Sequence, residues 1–377
     1  MSEPLSLVFL GLSITSSWGN GHATTYRSLI KGLAQRGHRV LFLERDVPWY
    51  RDNRDAPRPE GCSVALYAST EQLKQRHRAA IEAADAVIVG SYVPDGVEIG
   101  AWVQQVARGV RAFYDIDTPV TLRKLGQGDT EYLSPATIPS YDVYFSFSGG
   151  PALDLLVRDY GARRALPLYC SVDPDHYYPE AVPLRYDLGY LGTYSADRQP
   201  TLEALLLEPA RRLPDRRFVV AGPSYPAEID WPPNVERIQH LNPAEHRAFY
   251  NAQRFTLNVT RADMVALGWS PSVRLFEAAA CGVAIISDVW PGIETILDPG
   301  RELLLARSSD EIVERLASST EAEARHIGAR ARARVLCDHT SHERARQLED
   351  RLQELLFERA RSSRQASRPE RHLSTSR

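Results

Sequence analysis

Cysteine is scarce in this chain, and its spacing excludes two common classes of site. Among 377 residues there are four cysteines, with no C-x-x-C pair and no histidine at metal-ligand spacing. Zinc ribbons and disulfide-stapled domains depend on such patterns. The sequence therefore predicts free thiols in a reducing compartment, at Cys62, Cys170, Cys281 and Cys337.

Long apolar runs and an excess of basic charge are also lacking. No apolar run approaches the ~20 residues that span a bilayer, and residues 1–4 lack the basic segment of a signal peptide. We therefore expect a cytoplasmic protein. The net charge is −3, which argues against a nucleic-acid partner, because a surface that coats nucleic acid is basic.

The chain does contain a regular alternation of apolar runs and helical patterns. Its length suffices for two domains of roughly 150 residues each. Strands separated by helices are typical of a doubly wound parallel sheet. The first half has apolar runs at 5–12, 38–44, 62–68, 85–91, 110–117 and 143–148.

A stretch rich in proline and aspartate, residues 166–180, interrupts this alternation. The pattern then resumes, which indicates a second doubly wound domain. We therefore predict an α/β fold with Rossmann-like domains at 1–170 and 171–338. The later apolar runs lie at 187–194, 217–223, 255–260 and 283–288.

The C-terminal part has two segments of different composition. Residues 339–358 carry an apolar stripe that includes Leu348, Leu352 and Leu355, which predicts one amphipathic helix. Residues 359–377 are rich in arginine and serine with almost no apolar residue, so they are predicted to be disordered. An arm attracted to phosphate or to a membrane is the alternative for this tail.

The strongest motif is WSPSVRLFEAAACGVAIISD, which begins at Trp269. Ser270 is a favourable N-cap, and Pro271 suits the first helical position, where an N–H is not needed. The free N–H groups of such a helix start form an anion site. Ser272 and Val273 belong to the same predicted helix start.

Two charged side chains on this helix suit the parts of a nucleotide. Arg274, one turn into the helix, offers a planar fork of donors to phosphate. Glu277, three residues further on, can accept hydrogen bonds from two ribose hydroxyls. The alternative is an ordinary helix with an ion pair between these two residues.

This motif resembles the donor-binding motif of GT-B glycosyltransferases of the family 1/4-like type. It is most similar to the group of the spore maturation protein CgeB, whose motif reads roughly S-P-S-x-R-x-F-E-A-A-A-C-G. Related retaining enzymes have an E-x7-E pattern, whose second acid matches Glu277 and whose first acid falls on Trp269. The resemblance implies two Rossmann-like domains facing a cleft, with the 339–358 helix crossing back onto the first domain.

The resemblance also implies a binding site for a nucleotide-diphosphate sugar. Its Gly-rich turn and a basic residue lie on the diphosphate, and its 240–241 loop contacts the base through backbone groups. A solvated surface position is the alternative for the basic residue, Arg198. The donor residues implied are Gly192, Thr193, Arg198, His240, Leu241, Ser270, Ser272, Val273, Arg274 and Glu277.

The stretch GNGHAT, which begins at Gly19, has two interpretations. As a dinucleotide fingerprint it has Thr24 in place of the third glycine, but Glu44 stands near the distance of a ribose-binding acid, so an NAD-dependent oxidoreductase remains an alternative. The resemblance instead implies that Gly19 and Gly21 let ligands approach the backbone and that His22 is the catalytic base. A helix N-terminus lowers the pKa of a histidine and keeps it neutral, as a base requires.

Asp115 and Asp117 end a predicted strand, at the edge where doubly wound sheets bind ligands. One of them is expected to orient His22, as a carboxylate orients the base of a triad. Otherwise they cap a loop or pair with Arg111 or Arg123. They also look like a D-x-D metal pair, but the resemblance to GT-B enzymes argues against this, so no metal site is predicted.

Aromatic side chains near the predicted cleft are candidates for the acceptor side. Flat rings stack on sugar faces, so Trp49 and Tyr50 in the irregular segment 44–55 are expected to bind an acceptor. Packing within the loop is the alternative. Tyr92 follows a predicted strand and is expected to line the cleft with Gly19 and Gly21.

Together these features predict a hexosyltransferase-type enzyme that moves a sugar from a UDP-, GDP- or dTDP-sugar to an acceptor hydroxyl, with no metal and no further cofactor. Stereochemistry stays open, because Glu277 is typical of retaining relatives and His22 of inverting ones. A nucleotide-sugar epimerase of the same fold and a non-enzymatic assembly protein are further alternatives. The acceptor, the oligomeric state and a peripheral membrane contact are left open.

Overall fold

The computed structural model describes residues 3–19 and 21–366 and contains two parallel sheets. The first sheet has the strand order β3-β2-β1-β4-β5-β6-β7. Its strands are β1 (Ser6–Gly11), β2 (Arg39–Arg45), β3 (Ser63–Tyr67), β4 (Ala86–Gly90), β5 (Val110–Asp115), β6 (Val143–Ser146) and β7 (Ala165–Pro167).

The second sheet has the order β10-β9-β8-β11-β12-β13, again with parallel pairing throughout. Sheet one ends at residue 167 and sheet two begins at residue 186, so the proline-rich stretch connects them. The strands are β8 (Tyr186–Leu191), β9 (Phe218–Ala221), β10 (Val235–Ile238), β11 (Gln253–Asn258), β12 (Ala284–Ser287) and β13 (Leu304–Leu305).

Helices cover both faces of each sheet, which is why the central strands are continuous apolar runs rather than alternating ones. The segments α7 and α8 are joined by a π-helical stretch, Glu203–Leu207. The helices are α1 (His22–Gln35), α2 (Pro48–Arg51), α3 (Thr70–Ala83), α4 (Gly96–Val106), α5 (Thr118–Gly126), α6 (Pro151–Arg158), α7 (Gln199–Leu202), α8 (Glu208–Arg212), α9 (His246–Asn251), α10 (Ala262–Leu267), α11 (Val273–Ala280), α12 (Ser309–Ser318), α13 (Glu321–Asp338) and α14 (Ser341–Ala366).

The last helix, α14, packs on the first domain against α1. Its residues Leu348 and Leu352 are fully buried in the core of that domain, together with Leu29 of α1. At Gly32 a Cβ would lie 2.3 Å from the carbonyl oxygen of Ser341, so a glycine is needed where the two helices meet. The C-terminal helix therefore joins the two domains by crossing back.

The end of α14 differs from the predicted disordered tail. The helix continues to Ala366, so residues 359–366 are helical. One reason is that charged side chains tie this part to the first domain: Arg359 lies 3.0 Å from Asp142. Residues 367–377 of the predicted tail lie outside the described residues. Within the described ranges no helix is both long and apolar enough to span a membrane.

Candidate functional site

The strand order reverses once in each sheet, and this creates two crevices at the carboxyl ends of the strands. In the first sheet β1 lies between β2 and β4, and in the second β8 lies between β9 and β11. Ligands of doubly wound folds bind at such switch points. The two crevices face each other, because Trp18 after β1 packs against His240 with ring centres 4.7 Å apart, and Ser148 after β6 lies 2.7 Å from Ser270.

His22 is the first residue of α1 and borders the crevice of the first sheet. Its ring meets Tyr92, which follows β4, edge to face at 5.4 Å between centres. Its Nδ1 has no hydrogen-bond partner among the described residues. Burial lowers the pKa of His22 to about 4, so the imidazole is neutral at pH 7 and able to accept a proton.

Among the described residues, Asp117 is linked to His22 indirectly, through Tyr92. The Tyr92 hydroxyl donates to Oδ2 of Asp117 over 3.0 Å, and within the described ranges no hydrogen bond joins His22 to Asp115 or Asp117. Tyr92 has a φ of 61°, in the left-handed region that a non-glycine residue rarely adopts. Such strain is typical of functional positions, because packing must hold the residue there.

Asp115 is enclosed in the first domain. It is fully buried and accepts hydrogen bonds from Tyr144 at 2.5 Å and from Thr121 at 2.8 Å. Burial raises the pKa of Asp115 to about 6. Both oxygens are therefore occupied within the domain core. The alternative ion pairs are not formed either, because Arg111 pairs with Asp142 and Arg123 with Asp263.

Arg274 lies at the switch point of the second sheet and is held by the ends of two strands. Its Nε donates to the carbonyl oxygen of Leu191 over 2.6 Å, and its Nη1 donates to Oδ1 of Asn258 over 2.9 Å. A Cβ on Gly192 would lie 2.9 Å from Nη2 of Arg274, so the glycine lets the turn lie directly over the guanidinium. The positive charge is thus placed beneath the predicted diphosphate turn.

The start of this helix differs from the sequence prediction. Ser270 and Pro271 were expected at the N-cap and first helical position, but α11 begins at Val273 with Ser272 before it. Ser272 donates to Asn258 over 2.8 Å and does not cap the helix. Ser270 instead donates to the carbonyl oxygen of Gly268 over 2.7 Å and meets the first domain at Ser148. Residues 270–272 are therefore outside the helix, and Ser272 has an extended backbone.

Glu277 is almost fully buried, and among the described residues its carboxylate forms no ion pair with Arg274. Its two oxygens accept hydrogen bonds from the hydroxyls of Tyr177, at 2.9 Å, and Tyr250, at 3.0 Å. The alternative ion pair between Arg274 and Glu277 is therefore wrong. Each carboxylate oxygen keeps a second lone pair that a ribose hydroxyl can use.

The remaining donor residues lie around the Gly192 turn and the loop at 240–241. Nη2 of Arg198 donates to the carbonyl oxygen of Thr193 over 2.7 Å, while its buried Nε finds no partner in the part of the chain that the structure describes. His240 is exposed apart from its contact with Trp18, and Leu241 is partly buried. Arg198 is therefore not a freely solvated side chain.

The predicted acceptor segment is partly ordered by a short helix, α2, rather than wholly irregular. Trp49 is 62% exposed, whereas Tyr50 is partly buried. The segment is anchored to the first loop, because Asp55 accepts hydrogen bonds from Ser17 and from Arg27. An exposed indole thus lies on an anchored support next to the loop that precedes His22.

Glu44, the acid that would bind the ribose in an NAD site, is hydrogen-bonded to the loop that follows β1. Glu44 is fully buried and accepts the backbone N–H groups of Ile14, at 2.7 Å, and Thr15, at 3.0 Å, and the Thr15 hydroxyl, at 2.6 Å. Gly19 has a φ of 65° and is exposed at the tip. Glu44 therefore shapes the loop and is not presented to a ribose, which removes the basis of the oxidoreductase alternative.

Sequence reasoning missed several residues that border the cleft. Trp18 and Arg261 touch the opposite domain, at His240 and Asp117 respectively. The sequence indicates Trp269 only as the position of the first acid of the E-x7-E pattern. It has a φ of 45°, and its backbone carbonyl accepts the N–H of Gly149 over 2.9 Å. The only available signal for Trp18 was an aromatic residue beside the glycine-rich stretch.

The chain is similar to a known protein family in sequence and to several solved structures in fold. Residues 198–350 match a family model described as "Glycosyl transferase-like", and no curated protein sequence matches the chain. Among solved structures, sucrose-phosphate synthase from Thermosynechococcus elongatus is 15% identical with a TM-score of 0.69, over 94% of this chain and all of that one. HepE of Anabaena in complex with UDP-glucose is 12% identical with a TM-score of 0.70, over 93% of this chain and 100% of that one.

A third solved structure is similar over the same extent. AviGT4, a glycosyltransferase involved in avilamycin A biosynthesis, is 16% identical with a TM-score of 0.66, over 94% of this chain and 99% of that chain. Two parallel-sheet domains facing a cleft, shared with these glycosyltransferase structures, define the GT-B fold. The fold predicted from the sequence is confirmed, and the glycosyl transferase-like region lies in the second domain and α14.

Proposed function

We propose that this protein is a glycosyltransferase that moves a sugar from a nucleotide-diphosphate sugar to an acceptor hydroxyl. The observation that carries the proposal is the position of Arg274, held at the second switch point under the Gly192 turn, inside the region that matches the glycosyl transferase-like family. A guanidinium whose Nη2 faces a glycine turn suits a diphosphate.

The second domain binds the donor in this proposal. The diphosphate lies over Gly192 and Thr193, between Arg274 and Arg198, and the ribose hydroxyls reach Glu277. The structure of HepE with UDP-glucose supports a nucleotide-sugar ligand for this fold. When the anomeric bond breaks, the leaving diphosphate gains negative charge, which the two arginines stabilise electrostatically.

The first domain binds the acceptor, with His22 as the base. Its neutral imidazole takes the hydroxyl proton while the acceptor oxygen forms the new bond to the anomeric carbon. Tyr92, which is hydrogen-bonded to Asp117, positions the imidazole ring of His22. Trp49, Tyr50, Gly19 and Gly21 surround the acceptor. Closure of the cleft excludes water and limits hydrolysis of the donor.

The finer assignments belong to the same proposal. We place the chain in the CgeB-like group on its motif at 269–288, and we propose transfer of a hexose. Metal independence is supported by the enclosure of Asp115, which is fully buried in the first domain and hydrogen-bonded to Tyr144 and Thr121. A cytoplasmic location completes the proposal.

A donor screen tests the function. The full chain is incubated with UDP-, GDP- and dTDP-hexoses, and NMR follows both donor loss and the anomeric configuration of the product. Slow hydrolysis or transfer of one donor supports the proposal, and the retained or inverted configuration settles the stereochemistry. Conversion of the donor to its epimer would favour the epimerase alternative, and inertness with every donor together with no nucleotide binding would refute transfer.

A further inference from the structure

Arg261 spans the cleft but has no part in the donor or acceptor contacts described above. It directly precedes α10, after β11 at the second switch point. Its Nη1 lies 3.7 Å from Oδ2 of Asp117 in the first domain. Its Nε lies 3.8 Å from Oδ2 of Asp197, which is adjacent to Arg198. One guanidinium thus lies between the acceptor side and the donor loop.

The donor groups of Arg261 are only partly used by these aspartates. Both separations exceed the ~2.7–3.2 Å of an N–H···O hydrogen bond, and the buried Nε has no hydrogen-bond partner among the residues described. The carboxylates already accept other donors: Asp197 from the N–H of Ala262 at 2.9 Å, and Asp117 from Tyr92 at 3.0 Å. Buried N–H groups without a partner are rare and call for an explanation.

A neighbouring arginine shows what a saturated cleft-spanning pair looks like. Arg123 of α5 donates through Nε to Oδ2 of Asp263 over 2.9 Å, a normal hydrogen bond between the two domains. Arg261 makes no contact of that length with Asp117. Domain joining alone therefore explains the position of Arg123 better than that of Arg261.

The surroundings of Arg261 point to an anion as the missing partner. Arg198 also has a buried Nε without a partner among the described residues, and it is next to Asp197. Arg274 lies beneath Gly192 at the start of the same loop. Three guanidinium groups therefore surround one loop: those of Arg198 and Arg261, which have unused N–H donors, and that of Arg274 below the turn. Such a cluster suits a ligand that has two or more negative charges and several oxygens.

We propose that Arg261 is a diphosphate-binding residue that moves from Asp117 to the donor when the nucleotide binds. This inference rests on the proposed function. Because Asp117 also accepts the Tyr92 hydroxyl, the move changes the charge around the carboxylate that positions His22 through Tyr92. Donor occupancy is in this way transmitted to the acceptor side of the cleft, which favours binding of the donor before the acceptor.

Calorimetry on the full chain tests the proposal with UDP, GDP, dTDP, ADP and CDP as probes, and saturation-transfer NMR follows the matching nucleosides. In Arg261→Met we expect about tenfold or weaker binding of the preferred diphosphate, the size of a lost charged hydrogen bond, and unchanged binding of its nucleoside. Arg261→Lys keeps the charge without the fork and should lose part of the affinity. Arg123→Met, the matched control, should bind within about twofold of the wild type, because its loss removes only an exposed ion pair.

The outcomes separate the inference from the function on which it rests. Unchanged diphosphate affinity in Arg261→Met and Arg261→Lys, with or without a lower Tm, would mean an interdomain ion pair only and would overturn the proposal. An equal loss in Arg123→Met would also overturn it, since binding would then depend on domain joining. If the wild type binds none of the five diphosphates, the proposed function fails and the inference with it. Arg261→Lys covers the case in which the methionine variant does not fold.

Discussion

Tyr92 donates its hydroxyl hydrogen to Asp117 over 3.0 Å while its ring packs edge to face on His22. A carboxylate thus influences the proposed base through a phenol, where the sequence suggested a direct contact. Tyr92 makes both contacts from a left-handed backbone conformation, with a φ of 61°.

Replacing Tyr92 by Phe should lower kcat about tenfold and leave the KM for the donor unchanged. The variant keeps the ring against His22 but removes a hydrogen bond to a buried carboxylate, a contact of about 1.5–3 kcal/mol. Steady-state kinetics measure kcat and KM separately. Tyr67→Phe is the control, because Tyr67 is buried in the core on which Tyr92 packs, while its hydroxyl has no hydrogen-bond partner among the described residues. An equal fall in kcat in both variants would contradict a positioning role for the Tyr92 hydroxyl.

His22→Ala should reduce sugar transfer by about 10²–10⁴-fold, the usual contribution of a general base. Nucleotide affinity should stay within about twofold of the wild type, because the donor residues belong to the second domain. Transfer is followed by product formation and affinity by calorimetry. Transfer at near wild-type rate would show that another group removes the proton.

As pH is lowered, kcat/KM should begin to fall only at a pH well below the ordinary pKa of histidine. Burial lowers the pKa of His22 to about 4, so the basic form persists on going down from pH 8 to about pH 5. The rate should therefore stay level through pH 6.5 and fall only as pH approaches 4. A limb centred at pH 6.5 in initial-rate measurements would mean that His22 is solvated or is not the base.

Gly192→Ala should weaken nucleotide diphosphate binding about tenfold. The added Cβ would lie 2.9 Å from Nη2 of Arg274 and 2.5 Å from the Tyr190 hydroxyl, so the guanidinium or the turn must move. Gly126→Ala is the matched control, because a Cβ there meets nothing within 4 Å. Calorimetry gives both affinities, and equal affinities would remove Arg274 from the diphosphate site.

Asp115→Asn should change how stability depends on pH. Burial raises the folded-state pKa of Asp115 to about 6, above its unfolded value of about 3.9. The folded state therefore holds more protons between these values, and this group's contribution to stability falls as pH rises from about 4 to about 6, by about 3 kcal/mol. Denaturant unfolding of both proteins at pH 4, 5, 6 and 7 should show the wild type losing stability relative to the variant. A constant difference would contradict the shifted pKa.

Much of the fold follows from local sequence features. The first sheet was predictable because buried parallel strands are short apolar runs, and those at 5–12, 85–91 and 143–148 contain β1, β4 and β6. The end of α14 was not predictable from the sequence. Its charged last turns are held on the first domain by the ion pair of Arg359 with Asp142, and composition does not reveal such a contact.

The residues of the candidate site were predictable only where they belong to one continuous sequence motif. Arg274 and Glu277 are three residues apart on one helix, so the sequence alone identifies them as a pair. An ion pair between them was the alternative interpretation. Their real partners, Leu191 and Tyr177, come from distant parts of the chain. Arg261 was not predictable as a site residue, because Asp117 and Asp197 lie in segments of the chain that are distant from it.

The sequence by itself determined that two doubly wound domains form, because apolar periodicity and helix ends depend on neighbouring residues, and it placed a phosphate-type motif on one helix. The tertiary structure decided which polar groups meet. It enclosed Glu44 and Asp115 within the first domain, and it left Nδ1 of His22 without a partner among the described residues. Hydrogen bonds and burial depend on the distance between groups in space, and residues remote in the chain set that distance only when both sheets are packed and face each other.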